Sequence, residues 1–286
     1  MIISGKDLAV SLKTDMARRV ADFPCKYGRV PHLTVILVGN NVGSETYVRN
    51  KAVACDFVGI KNTTIRFPEN ISEEEVIEKI SELNEDECVD GILVQLPLPK
   101  HISETKVIEC ISQAKDVDGF HPLNTAALWQ KRPDSSCIIP CTPKGIIKLL
   151  DAASYEIAGK NAVVIGRSHI VGLPVAKLLL DRNATVTICH SKTEDLKSIT
   201  SRADILVAAV GKPKFVDASM VKDGAAVIDV GMNRDPQTGK LCGDVDFESV
   251  AQKTTVITPV PGGVGPMTVC CLMENTIECF LSKFTD

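Results

Sequence analysis

The stretch Asn161-Ala-Val-Val-Ile-Gly-Arg-Ser-His-Ile-Val-Gly-Leu-Pro-Val175 decides the fold. A short apolar run, Ala162 to Ile165, breaks at Gly166 and resumes at helical spacing through Ile170, Val171, Pro174, Val175, Leu178 and Leu179. The order is strand, tight turn, helix. Gly166 lets the chain reverse, and the turn is expected to leave backbone N–H groups and Ser168 facing outward, where the positive end of the new helix also points. An anion, above all a phosphate, fits such a place.

Downstream of this turn the same alternation continues. Strands are expected near Ala162–Ile165, Thr185–Cys189, Ile205–Ala208, Ala225–Asp229 and Thr255–Ile257, separated by helical segments, which makes a parallel sheet with right-handed crossovers. Met267 to Phe284 carries Val269, Leu272, Met273, Thr276, Ile277, Phe280 and Leu281 at helical spacing, long enough for a strut packing back on the first lobe.

Upstream, Leu8, Leu12, Met16 and Val20 recur every four residues and predict a helix ending before Pro24. Leu33 to Val38 reads as a strand, followed by a Gly39 to Gly43 loop, Ser44 as a cap, and a helix from Glu45 to Val58 stopped by Gly59. A strand from Asn62 to Phe67, a helix opened by the Ser72-Glu-Glu-Glu75 capping box, and a strand from Gly91 to Leu96 complete the alternation. Lys115 to Pro122 is too rich in charge and turn formers to be an element interior, and Thr142-Pro143 opens the helix taken as the hinge between domains. Two α/β lobes with parallel sheets and a cleft between them are expected.

Composition narrows the function. The chain has 286 residues, 44% of them hydrophobic, and a net charge of −4, which gives no electrostatic reason to expect nucleic acid or an anionic membrane as partner. No apolar run approaches the roughly 20 residues that span a bilayer, and no signal-peptide hydrophobic region opens the chain. Its 11 cysteines include no Cys-x-x-Cys pair and read as reduced, mostly buried thiols in a cytoplasmic protein, with no metal site.

Gly166-x5-Gly172 departs from the usual Gly-x-Gly-x-x-Gly dinucleotide fingerprint, so a close-packing glycine turn is an alternative reading of it. The end of the next strand adds information. An NAD site commonly places a carboxylate there for the ribose hydroxyls, whereas this chain has Cys189 followed by His190-Ser-Lys-Thr193, with Arg167 in the first turn, a pattern that favours NADP. An ordinary solvated loop is the competing reading of His190 to Thr193. Ala208-Ala-Val-Gly-Lys-Pro213 and Asp229-Val-Gly-Met-Asn233 supply further glycine-bearing strand ends where a nicotinamide could approach the backbone.

In the first lobe, Tyr47 and Lys51 lie four apart on one helix face, with Cys55 one turn further. On a cleft-lining face, partial desolvation would lower the lysine pKa and make it a proton carrier near neutrality; on a plain surface it would be a solvated lysine packed on a tyrosine. Gln95 ends a strand and could orient the ammonium, and Asp118 could hold a ligand with adjacent N–H donors in bidentate fashion.

Together, Tyr47-Val-Arg-Asn-Lys51, Gly91-Ile-Leu-Val-Gln-Leu-Pro-Leu-Pro99, Lys115-Asp-Val-Asp-Gly-Phe-His-Pro122, Pro140-Cys-Thr-Pro-Lys-Gly145, Gly166-Arg-Ser-His-Ile-Val-Gly172 and Pro259-Val-Pro-Gly-Gly-Val-Gly-Pro-Met-Thr268 closely resemble the bifunctional methylenetetrahydrofolate dehydrogenase/cyclohydrolase family. The match runs nearly end to end with the motifs in family order. The resemblance implies NADP-dependent oxidation of 5,10-methylenetetrahydrofolate and hydrolysis of the methenyl product to 10-formyltetrahydrofolate, in one-carbon metabolism, by a homodimer. It implies a catalytic, folate-binding domain over 1–140 with the helix 267–286 packing back on it, and a Rossmann-like NADP-binding domain over 141–266. By resemblance Lys51 is the general acid/base, Gln95 tunes it, Tyr47 stacks on the folate and Asp118 grips the pterin edge. Val94, Leu96, Pro261, Gly262 and Gly263 match substrate-bordering positions, and Gly166, Arg167, Ser168, Ser191 and Met232 match cofactor-touching ones.

Two positions depart from the family pattern. Thr125-Ala126-Ala127 stands where many relatives have a glycine, so the loop after Asp118 is expected to take another path, and Met232 replaces a common isoleucine. A different two-lobed dehydrogenase would not need Tyr47, Lys51, Gln95 and Asp118 together, and a noncatalytic sensor would be expected to lose Lys51 first. Retention of only one of the two activities stays open at the level of sequence.

Overall fold

The computed structural model describes residues 1–130 and 137–284. The chain divides into two compact units, one of residues 1–10 and 142–268, the other of residues 11–141 and 269–286. The domain ranges expected from sequence include residues 131–136 and 285–286, which lie outside the described residues.

The unit of residues 11–141 and 269–286 is built on β1 (His32–Val38), β2 (Lys61–Phe67) and β3 (Gly91–Val94), all parallel, in the order β2-β1-β3. Every residue of the central strand β1 is buried, as expected of a strand covered on both faces, whereas the edge strand β2 is mostly half-exposed. The helix Val42–Val58 crosses from β1 to β2. Its cap is Asn41 rather than Ser44: Asn41 is extended and its side-chain oxygen accepts from the Ser44 N–H at 3.1 Å, so Ser44 lies inside the first turn and is buried. Gly59 stops the helix in the left-handed conformation at φ 86°, where a side chain would be strained. The capping box at Ser72 and Glu75 forms as read from sequence. β3 is shorter than expected, although the Gln95 N–H still donates to the Ile36 carbonyl at 2.9 Å before Pro97, which has no N–H, ends the ladder. Thr125 to Ala127 lie within the helix Pro122–Gln130.

The end of the chain is anchored in this unit by charge and rings. Asp90 is fully buried and takes Arg29 in a two-pronged contact at 2.6 and 2.8 Å, Lys283 at 2.8 Å and the His32 N–H at 2.9 Å. The Arg29 guanidinium lies 4.8 Å from the centre of the Phe280 ring, which stacks on Phe23. Burial by itself would raise the Asp90 carboxyl, but the hydrogen bonds from Arg29, Lys283 and His32 outweigh it and hold the group below its ordinary pKa.

The other unit carries β4 (Asn161–Ile165), β5 (Thr185–Cys189), β6 (Ile205–Ala208) and β7 (Ala226–Asp229), a small antiparallel hairpin of β8 (Asn233–Arg234) and β9 (Leu241–Cys242), and β10 (Val256–Ile257). Its five-stranded sheet is parallel with the order β10-β7-β6-β4-β5. Strand order therefore reverses between β4 and β6, the doubly wound arrangement that opens a crevice at their carboxyl ends. The first ten residues, expected with the other domain, belong here. The Ile3 N–H donates to the Ile257 carbonyl, the Ile257 N–H to the Met1 carbonyl and the Lys6 N–H to the Gly262 carbonyl, so the amino terminus runs along β10 and its following loop.

All 11 cysteines are free thiols, six of them buried. Among the described residues no helix is long and apolar enough to cross a membrane.

The Asp90 cluster yields a stability prediction. Asp90→Asn leaves Arg29 and Lys283 without their carboxylate and is expected to lower the unfolding free energy by about 3 kcal/mol at neutral pH in urea titrations. A carboxyl whose folded pKa is depressed stabilises while ionised, so the wild-type advantage is present above the unfolded-state pKa and fades as pH falls through the depressed folded value.

Candidate active site

The helix Val42–Val58 places Tyr47, Lys51 and Cys55 at successive turns of one face. Lys51 Nζ donates to Gln95 Oε1 at 2.9 Å. Gln95 follows β3 directly, and its Nε2 donates to the Leu96 carbonyl at 2.8 Å, which fixes the amide so that its oxygen faces the lysine. The lysine, half-buried, is withdrawn far enough from water that burial lowers its pKa, with the charge of Asp118 and the nearby Cys141 and Cys55 opposing the shift. Burial likewise raises Asp118 to about 6, countered by Lys51, reinforced by Asp116 and eased by the Cys141 thiol. Tyr47, one turn before Lys51, stays 40% exposed, which leaves ring surface open, and burial of the remainder raises its phenol. Val94 is buried at the end of β3, and Leu96 is half-buried.

Asp118 is held by a loop with its own internal order. The fully buried Asp116 accepts from the Gly119 and His121 N–H groups at 3.1 and 2.8 Å and from Asn124 Nδ2 at 2.9 Å. Gly119 has φ 73°, and a Cβ there would lie 2.7 Å from the Ile138 carbonyl oxygen, so no other residue fits. Asn275, fully buried in the last long helix, donates to the carbonyls of Val117 and Ile139 at 2.8 and 2.9 Å, and Cys141 Sγ lies 3.9 Å from Asp118 Oδ1. Sequence reading assigned no role to Asp116, Asn275 or Cys141. Asn275 did leave a signal, a lone amide in a run whose neighbours Leu272, Met273 and Ile277 are all buried.

In the sheet unit of β4 to β7 and β10, Gly166 has φ 125°, and a Cβ there would stand 2.2 Å from the Ala209 carbonyl oxygen, so the turns after β4 and β6 touch at the crevice. Gly172 packs equally closely, its Cβ position only 2.3 Å from the Gly166 carbonyl oxygen. The two glycines thus serve close packing as well as the reversal. The helix begins at Gly172, later than Ile170, and its first N–H groups do not face outward as expected: those of Val171 and Gly172 donate to Ser168 Oγ at 3.2 and 3.3 Å, and that of Leu173 to the Ser168 carbonyl. Ser168 acts as the local cap because Val171, at the cap position, has no oxygen to offer. Its own O–H remains a donor, and both Ser168 and Arg167 are exposed.

After β5, the His190 N–H donates to Thr193 Oγ1 and the Lys192 N–H to His190 Nδ1, a tight turn that leaves Ser191 and Lys192 exposed. Met232, 45% exposed, follows β7. In the loop after β10, Gly262 has φ 106° and Gly263 would place a Cβ 2.5 Å from the Pro259 carbonyl oxygen. Pro261 is exposed beside them. The structure thus joins Lys51 to Gln95 directly and Asp118 to Lys51 through their charges, and it sets Gly166 to Ser168, Ser191 and Met232 at carboxyl ends of strands of one sheet.

The comparisons with known proteins agree with this fold. Residues 3–118 match the model of the tetrahydrofolate dehydrogenase/cyclohydrolase catalytic domain, and residues 140–284 match that of the NAD(P)-binding domain of the same family. The chain is 53% identical over 284 residues to the bifunctional protein FolD of Streptococcus mutans, spanning 99% of both chains, and 52% identical over 282 residues to that of Streptococcus uberis, spanning 99% of this chain and 98% of the relative. The solved FolD methylenetetrahydrofolate dehydrogenase/cyclohydrolase of Campylobacter jejuni superposes with a TM-score of 0.96 at 46% identity, covering 99% of each chain. The Trypanosoma brucei enzyme, solved with NADP and an inhibitor, superposes with a TM-score of 0.95 at 39% identity over 100% of this chain and 99% of that one. With both family models matched and relatives above 50% identity from end to end, this chain belongs to the tetrahydrofolate dehydrogenase/cyclohydrolase family.

Proposed function

We propose that this chain oxidises 5,10-methylenetetrahydrofolate to the methenyl form with NADP and hydrolyses the methenyl form to 10-formyltetrahydrofolate. The observation that carries the reading is the partly buried Lys51 on Gln95 Oε1, with its charge facing Asp118. Such a lysine suits the hydrolysis, which adds water to the methenyl carbon and requires a group that first takes up and then returns a proton. Gln95 aims the amine. Asp118 can accept two adjacent N–H donors from the pterin edge, and the exposed Tyr47 ring can stack on the folate. Val94, Leu96 and Pro261 to Gly263 are assigned to the substrate.

The residues at the sheet crevice fit a bound NADP. Gly166 keeps the turn free of side-chain bulk, the Ser168 O–H and the Arg167 guanidinium are exposed donors, and no carboxylate follows β5 directly, where Ser191 and Lys192 stand instead. Met232 is assigned to the nicotinamide side. When bound, NADP accepts the hydride that leaves the one-carbon bridge. The protein's task in that step is orientation, so Lys51 matters less to it than to the hydrolysis. A second reading, retention of one activity alone, has no specific observation in its favour.

The proposal extends to a homodimer in the cytoplasm, supported by the family resemblance and by the free thiols.

Lys51→Met is expected to reduce methenyl hydrolysis by roughly 10²–10⁴-fold while NADP affinity is unchanged; undiminished hydrolysis would refute the role given to Lys51. Cofactor choice is checked by kcat/KM with each nucleotide, NADP being expected to exceed NAD, and Arg167→Ala to narrow the gap. Asp118 grips only as a carboxylate, so the folate KM is expected to climb as pH falls through about 6, and Asp118→Asn to start from a raised KM that no longer follows this titration. Steady-state kinetics between pH 5 and pH 8 supply the comparison.

A further inference from the structure

The unit built on β4 to β7 and β10 contains two carboxylates that the proposed chemistry does not use. Asp244 is fully buried and Asp229 nearly so, and neither has a cation within salt-bridge reach among the described residues. Each is held instead by N–H groups. Asp244 accepts from three consecutive backbone N–H groups, Val210 at 2.6 Å, Gly211 at 3.0 Å and Lys212 at 2.9 Å, and from Asn233 Nδ2 at 2.8 Å. Asp229 accepts from the N–H groups of Gly231 at 2.9 Å, Asp244 at 2.9 Å and Val245 at 3.0 Å, while its own N–H donates to the buried Thr258 Oγ1 at 2.8 Å. The packing admits no side chain around them: a Cβ on Gly231 would lie 2.3 Å from Asp244 Oδ1, and one on Gly243 1.8 Å from Asp229 Oδ2.

The donors belong to the loops that wall the crevice. Residues 210–212 follow β6, and Gly231 to Asn233 follow β7, with Met232 between two anchored neighbours. Thr258 begins the loop after β10. Val210 packs against the core of this unit, but packing does not hold the loop beyond it. Gly211, at φ 65°, has open space where a Cβ would be, and Gly211 to Phe215 are exposed. What fixes it is the convergence of its N–H groups on Asp244, and charge-assisted hydrogen bonds of this kind are about twice as strong as neutral ones. Ala209, immediately before it, touches Gly166 from the opposite side of the strand-order reversal.

We propose that Asp244, itself seated by Asp229, is the positioning residue for the cofactor crevice: it sets the wall formed by residues 210–212 and the stance of Met232 without touching the nucleotide. This rests on the NADP reading above. A carboxylate is required because four donors converge on two oxygens; an amide would turn an NH₂ group against backbone N–H groups or leave them unpaired, and such buried donors are costly.

The test uses the full-length protein and three readouts: NADP affinity by titration with NADP alone, dehydrogenase kinetics, and methenyl hydrolysis. Asp244→Asn is expected to raise the NADP Kd and KM by about tenfold or more, with kcat/KM for hydrolysis within about twofold of wild type, since Lys51, Gln95 and Asp118 lie in the other unit. An unchanged NADP Kd accompanied by a lower melting temperature, or parallel loss of both activities, would make Asp244 merely structural and overturn the proposal. Should that variant fail to fold, Asn233→Ala removes one donor of four; a rise of about threefold in NADP Kd with hydrolysis intact supports the proposal, and an unchanged Kd overturns it. A wild-type chain that binds NADP but turns over no folate would sink the functional reading while the Kd values still decide this one, and a chain that binds no NADP sinks both.

Discussion

Parallel pairing orders the rest of this molecule. Because β1, β2 and β3 run one way and β4, β5, β6, β7 and β10 run one way within their own sheet, all the carboxyl ends of a sheet lie along a single edge. Many residues with assigned chemistry stand within a few positions of such an end: Gln95 after β3, Gly166 to Ser168 after β4, Ser191 after β5, the 209–212 loop after β6, Met232 after β7 and Pro261 to Gly263 after β10, whereas Tyr47 and Lys51 come from a helix and Asp118 from a loop. The strands β1, β3, β6 and β7 are buried throughout, so their backbone meets a ligand where the ladder stops.

Taken separately, the two units solve different electrostatic problems. Near Lys51, a cation and a carboxyl are each drawn partly out of water, and burial moves their pKa values toward one another, the lysine downward and Asp118 up to about 6. Both shifts carry the group from its ordinary range toward neutrality. Around Asp229 and Asp244 the aim is geometry. Burial raises Asp229 to about 6 even though three backbone N–H groups oppose it, and the neighbouring Asp244 adds to the rise. Loop order there comes from backbone donors counted against carboxylate oxygens, an arrangement with little freedom to shift.

Much of this was legible in one dimension. Alternation of apolar runs with helical spacing located the strands of the two parallel sheets to within one or two residues, since buried strands demand continuous apolar stretches, but it missed the short β8–β9 hairpin, which has no such run. Ser72 with Glu75 and Gly59 marked helix ends because their chemistry is local. Errors arose where partners were distant or where two local candidates competed. Asn41 took the cap from Ser44, and Ser168, although exposed, also caps the helix with its oxygen, because the nearest unpaired N–H groups claim any available acceptor first. The amino-terminal residues joined β10, a pairing across more than 250 positions that no local pattern could reveal.

The sequence by itself determined the family, the α/β class and the identity of the chemical groups, since these rest on residue types, short-range periodicity and long motif strings. Only the tertiary structure decided which atoms meet. Lys51 and Gln95 are 44 positions apart, Asn275 and Val117 are 158 apart, and Asp244 and Val210 are 34 apart, yet each pair shares a hydrogen bond. Whether a lysine is a solvated surface group or a tuned proton carrier depends on water access and on neighbouring charge. Both are set by packing between segments that the chain order leaves far apart.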